Sequence, residues 1–133
     1  MLYVLATNSV ERSEALCAYL VPRVDDGDTV HAVNSQRGGD RTSQEQLDLG
    51  TEALAVVNER LSPVTAVETH QLVRGNSPAE DVLAFVDRYE ADEIVMGVRK
   101  RTPASKILFG SVAQDVLANS PVPMRVVPVL GAR

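Results

Sequence analysis

Gly97, Arg99, Lys100, Arg101, Lys106, Gly110 and Ser111 fall within one stretch, Ile94 to Val112, and are the residues of this chain best suited to holding an anion. The stretch opens as an apolar strand, breaks at Gly97, runs through a basic loop and re-enters helical sequence at Gly110-Ser111. A strand, a glycine turn and a helix start gather backbone N–H groups at one point. The first N–H groups of a helix lack internal partners and its dipole is positive there, so such a point attracts anions. The same residue types allow a plainer use, in which Gly97 only ends a strand and Gly110 only eases a loop.

Other chemistries find less support. A Walker-type phosphate loop needs Lys-Ser or Lys-Thr at the helix start, whereas Gly110 is followed by Ser111-Val112. No serine stands in a nucleophile-elbow sequence, and no two carboxylates pair as acid and base, so no catalytic residue is assigned. His31 sits inside a strand and His70 is expected to face solvent. Neither has a second histidine at metal spacing, and no metal ligand is assigned. Cys17, in the helical run Glu14 to Leu20, reads as a small helical residue with nothing nearby to lower its pKa. Glu11, Arg12 and Glu14 read as a solvated helix face, as do Asp87, Arg88 and Glu90.

A chain of 133 residues suits one domain, residues 1–133, able to bury a core without a disulfide or metal staple. Its net charge of -5 and pI near 5.0 argue against a nucleic-acid or membrane-surface binder, which needs a positive field. The basic cluster at Arg99–Lys106 therefore runs against the global sign. With one cysteine, no apolar run of membrane-spanning length and no leader-like N-terminus, the expected setting is cytoplasmic.

The elements that would position the anion site follow from hydrophobic patterning. Met1–Ala6 is apolar throughout, as a strand covered on both faces requires. Thr7-Asn8-Ser9 supplies capping oxygens for a helix from Val10 to Leu20, with Ser13, Leu16 and Leu20 on one stripe. Thr29–Val33 is a second strand, and the polar run Asn34–Arg41 is expected to be a mobile loop. Two overlapping capping boxes, Thr42 with Glu45 and Ser43 with Gln46, start a helix that reaches Leu61. Gly50 in its middle costs about 0.8–1 kcal/mol relative to alanine, so it implies a close approach to the sheet. Thr65–Val73 has the mixed faces of an edge strand. Ser77-Pro78-Ala79-Glu80 starts a further helix with a cap, a first-position proline and a closing glutamate. Ile94–Met96 is a buried strand, and Ser111–Ala118 a helix with Val112, Val116 and Leu117 inward. Met124–Val127 is a last strand on an edge, bracketed by Pro123 and Pro128. This alternation gives a parallel α/β sheet of five strands with helices on both faces. Its two most apolar strands should be adjacent at its centre, where the crevice at their carboxyl ends is the ligand position of such folds.

With these residues in place, the chain resembles the universal stress protein family over nearly its whole length. Ala91-Asp92-Glu93-Ile94-Val95-Met96-Gly97 is similar to that family's A-D-x-I-V-M-G strand, and Gly110-Ser111-Val112 to the close of its nucleotide motif, G-x2-G-x9-G-[ST]. Val30–Val33 looks like its second strand, Val122–Val127 like its last, and Gly75 stands where its third strand usually ends. The resemblance implies strand order 3-2-1-4-5, the adenine nucleotide alpha hydrolase-like fold, and a homodimer paired through Met124, Arg125, Val126 and Val127. It also implies ATP, with or without magnesium, at the crevice of strands one and four. There Ala6 and Thr7 would line the adenosine and Val33 would back the base. Met96 and Gly97 would approach ribose and phosphates, with Arg99 and Lys100 as nearby cations. The N–H groups of Gly110, Ser111 and Val112 would hold the phosphate chain.

Two positions depart from the family pattern. Lys100 stands at the motif's second glycine, and Thr7 where ATP-binding members often carry an acidic residue. Lys100 cannot reproduce a positive-φ glycine cheaply, though its ammonium can pair with phosphate. The expected function is a stress-response regulator that binds an adenine nucleotide and at most hydrolyses it slowly. The alternatives are AMP or a cyclic nucleotide in the same crevice, or a dimeric interaction module with no nucleotide and a protein partner.

Overall fold

The apolar run Leu2–Ala6 forms β1 at the centre of a five-stranded sheet, as its lack of a polar face requires. The computed structural model describes residues 1–130. In chain order the elements are β1, α1 (Val10–Leu20), β2 (Thr29–Gln36), a 3-10 turn (Gly39–Arg41) and α2 (Gln44–Leu61), followed by β3 (Ala66–Val73), α3 (Pro78–Tyr89), β4 (Glu93–Lys100), α4 (Ser111–Asn119) and β5 (Met124–Leu130). All strand pairs are parallel and their order is β3-β2-β1-β4-β5, with β3 and β5 on the edges. The fold class and the order 3-2-1-4-5 are those expected.

Two apolar clusters sandwich the sheet. Leu16, Leu20, Leu54, Val57 and Leu61 of α1 and α2 pack with Tyr3, Leu5 and Val95 on one face. Val82, Phe85, Val86, Ala113 and Val116 of α3 and α4 pack with Val4, Ile94 and Met96 on the other. Successive residues of β1 and β4 thus point into opposite clusters, the period of two that a strand imposes. Cys17 is fully buried in the first cluster, and burial pushes its thiol up to about 11, so it is packing material.

The helix starts follow the local chemistry. Ser9 caps α1 by accepting from the Arg12 N–H at 3.2 Å. Of the two overlapping boxes before α2, the fold uses Ser43 with Gln46, and before α3 it uses Ser77 with Glu80.

Several boundaries differ from the sequence reading. Asn34–Gln36 belongs to β2 and is not loop, because Asn34 is buried and fully engaged. Its Nδ2 donates to the Thr7 carbonyl at 2.9 Å, and its Oδ1 accepts from Gln36 and Gln71, each at 3.2 Å. β4 does not break at Gly97 but runs in register with β5 as far as Lys100 against Leu130. β5 likewise passes through Pro128, which an edge strand tolerates. In α4 Leu117 is 54% exposed and Ala113 is buried in its stead. His70 is half-buried rather than turned out to solvent. Its Nε2 lies 3.0 Å from Nδ1 of buried His31, the His31 ring stacks on Tyr89 of α3, and the His70 ring meets Phe85 of α3 edge-on.

Candidate functional site

Sheet register assembles the site. Ala6 pairs with Val33 of β2 on one side and with Met96 of β4 on the other, so three expected lining residues form one row across the carboxyl ends of the central strands. Above that row opens a cleft of about 520 Å³. Its lining includes Ala6, Thr7, Val33, Met96, Gly97, Arg99, Gly110, Ser111 and Val112. Lys100 is not among the lining residues, and neither are Arg101 and Lys106 of the basic loop. Lys100 is held in the β4 ladder with no positive φ, so it takes the glycine's place in the motif by prolonging the strand.

The chain returns to the cleft because the loop after β4 folds back. The Leu108 N–H donates to the Arg99 carbonyl at 2.9 Å, an isolated antiparallel bridge that carries Gly110 to the strand ends. Helix α4 starts there without a side-chain cap, its first internal bond running from the Gln114 N–H to the Gly110 carbonyl at 3.0 Å. The amides of its first turn are therefore left for solvent or a ligand. Gly110 has φ -71°, and a Cβ added to it would meet nothing within 4 Å, so this glycine is not required by the backbone.

Thr7 is committed to the fold. Its hydroxyl lies 2.8 Å from Ser13 Oγ and 3.2 Å from the Ser9 carbonyl, while Ser13 Oγ donates to the Ala53 carbonyl at 2.8 Å. With its proton taken internally, Thr7 brings neither charge nor a free donor to the cleft. Ser35, on the far wall, donates to fully buried Asp81 at 2.6 Å. Asp81 also accepts from Arg74 and Asn76 at 2.9 and 3.1 Å. Desolvation would raise its pKa, but the hydrogen bonds from Ser35, Asn76 and Arg74 outweigh it, and the carboxyl sits below its ordinary value. Val33, Leu49, Pro78 and Val82 give the cleft apolar lining, and the start of α4 lines the same cleft.

The sequence reading missed Arg12. It is not part of a solvated helix face: its side chain enters the cleft and Nη1 donates to the Gly97 carbonyl at 2.6 Å. Desolvation, and then the charge of Arg99, push its pKa down. A signal was available, since a cation in the first turn opposes the helix dipole and calls for a reason. The tight contact at Gly97 is with β5, and Arg12 lies at ordinary packing distance. A Cβ there would stand 2.8 Å from Val129 Cγ2 and 3.6 Å from Arg12 Nη1.

The universal stress protein family matches residues 4–128 of this chain. A solved universal stress protein from Archaeoglobus fulgidus is 32% identical, superposes with a TM-score of 0.70, and the match covers 96% of this chain and 98% of that one. A second structure, the universal stress protein from Archaeoglobus fulgidus in complex with dAMP, is 29% identical with a TM-score of 0.68, covering 96% and 97%. A universal stress protein of Methanocaldococcus jannaschii is 36% identical over 78 residues, 59% of this chain and 45% of that protein. The matches take in about half or less of the curated relatives' length, from 38% to 54%.

Proposed function

Because the chain belongs to the universal stress protein family, we propose that its cleft binds an adenine nucleotide, ATP in the first instance, and that it acts through that ligand as a cytoplasmic stress-response regulator. The observation that carries this reading is that apolar side chains and an uncapped helix start line one cleft. A flat base suits the wall at Val33, and phosphates suit the amides of Ser111 and Val112, which carry the positive end of the α4 dipole. The dAMP-bound relative supports the ligand class. In this reading Ala6, Thr7, Met96 and Gly97 border the nucleoside, as the row of strand ends suggests.

The protein so read is a binder rather than a catalyst. The titratable side chains of the lining are Arg12 and Arg99, and a guanidinium takes no proton from water near neutral pH. The exposed run Ile107, Leu108 and Phe109 beside the cleft favours the second reading, a module whose loop docks a protein partner. Titration calorimetry with millimolar ATP and AMP separates the two. Binding that weakens at least tenfold in Gly110→Val, with the circular dichroism unchanged, supports the nucleotide reading. No heat from the folded wild-type protein, with or without magnesium, overturns it.

A further inference from the structure

We propose that Arg12, together with Arg99, neutralises the phosphates of the bound nucleotide in place of a divalent cation, so that this chain takes its ligand without magnesium. The inference rests on the nucleotide reading above and adds to it the source of charge. Magnesium at a nucleotide site is ordinarily held by one or two carboxylates besides the phosphates. The lining of this cleft contains no aspartate or glutamate; its side-chain oxygens are the hydroxyls of Thr7, Ser35 and Ser111 and the amides of Asn8, Gln36 and Gln46. The Thr7 hydroxyl proton is already taken, and Ser35 serves Asp81. Among the described residues no group of three His, Cys, Asp or Glu side chains could hold a metal ion. The donor set does not fit magnesium.

It fits an anion. Arg12 and Arg99 both line the cleft, and among the described residues neither has a carboxylate partner. Arg12 spends one N–H on the Gly97 carbonyl, which fixes the guanidinium against the strand end and leaves further donors of its planar fork for a ligand. Three unfavourable conditions meet at this side chain: partial burial, a like charge nearby, and a place in the first turn of α1 where the dipole is positive. A phosphate in the cleft relieves all three at once, and a forked guanidinium binds it with short, charge-assisted hydrogen bonds.

The test is calorimetry on the full chain with ATP in EDTA, ATP in magnesium chloride, and adenosine. It is run on wild type, Arg12→Met and Arg99→Met, each checked by circular dichroism. Equal ATP affinity with and without the metal is expected. Each variant should lose about tenfold or more for ATP, with adenosine binding as in wild type. Arg99→Met covers the case in which Arg12→Met disturbs the fold, since Arg99 is exposed and its side chain makes no hydrogen bond among the described residues. ATP binding that requires magnesium, or that both variants retain in full, overturns the inference and leaves the nucleotide reading standing. An equal loss of adenosine binding also overturns it, by showing that the arginines shape the cleft. Wild-type protein that binds neither ligand removes both.

Discussion

The imidazole of His70 shows how far a single side chain depends on what packs over it. Its ring lies edge-on to Phe85, 4.7 Å between centroids, and shares a 3.0 Å contact with His31, which itself stacks on Tyr89 at 4.1 Å. The neighbouring His31 ring at that distance disfavours a charge on His70. Desolvation first, and His31 second, hold the pKa of His70 below its ordinary value. Above the unfolded value, about 6.5, both states are neutral at this site and nothing is lost. As pH falls through that value toward the lower folded one, the unfolded chain takes the proton first and stability declines. Thermal melts should therefore drop by a few degrees between pH 7 and pH 5, and His70→Phe, which keeps an aromatic ring on Phe85, should flatten that slope. Parallel slopes in the two proteins would refute the assignment. The same dependence on surroundings explains Thr7 and Arg12. Threonine in place of a carboxylate is legible in the chain, but that its hydroxyl is spent on Ser13 is not. Arg12 looks solvated by type, and only the packing of α1 beside β4 brings its guanidinium to the Gly97 carbonyl.

At the scale of elements, α2 meets the sheet through Gly50. A Cβ built there would lie 2.1 Å from Asn34 Oδ1 and 2.7 Å from Gln71 Nε2. Alanine would gain about 0.8–1 kcal/mol of helix propensity, but overpacking at such a contact costs about 1–3 kcal/mol, and steric exclusion wins. Gly50→Ala should therefore lower stability in urea unfolding, by about 1 kcal/mol once the mid-range cost is set against the propensity gain. A more stable variant would show that α2 can slide. The displaced contact belongs to Asn34, whose amide holds the Thr7 carbonyl, so the variant also tests how firmly α2 sets the floor of the cleft. Element ends were the least legible part of the chain. Polar Asn34–Gln36 resembles loop until its partners on β3 and the β1 turn are present to satisfy it. Gly97 resembles a break until β5 is there to pair it with Val127. Leu117 lies one step round α4 from Val116, and only the packing of α3 against α4 decides which side of that stripe is covered.

For the molecule as a whole, the sheet ends in β5, an edge strand whose Leu130 is 56% exposed. We propose that two copies pair along this edge, as the family resemblance implies, and expect a dimer in sedimentation velocity that Leu130→Glu shifts toward monomer. A wild-type monomer at micromolar concentration would remove the proposal. Among the described residues no helix is long and apolar enough to cross a membrane. Apolar runs in β1, β4 and the helix stripes, with three capping signals, determine the alternation of strands and helices, because burial and orphan N–H groups act locally along the chain. Motif spacing likewise marks Gly97 and Gly110–Val112 before any coordinates exist. The tertiary structure alone decides that Ala6, Val33 and Met96 stand in one row, that Lys100 stays in a strand, and that Arg12 and Arg99 line one cleft free of carboxylates. Those outcomes depend on register and helix crossing, which set distances between residues far apart in sequence, and no local pattern encodes such distances.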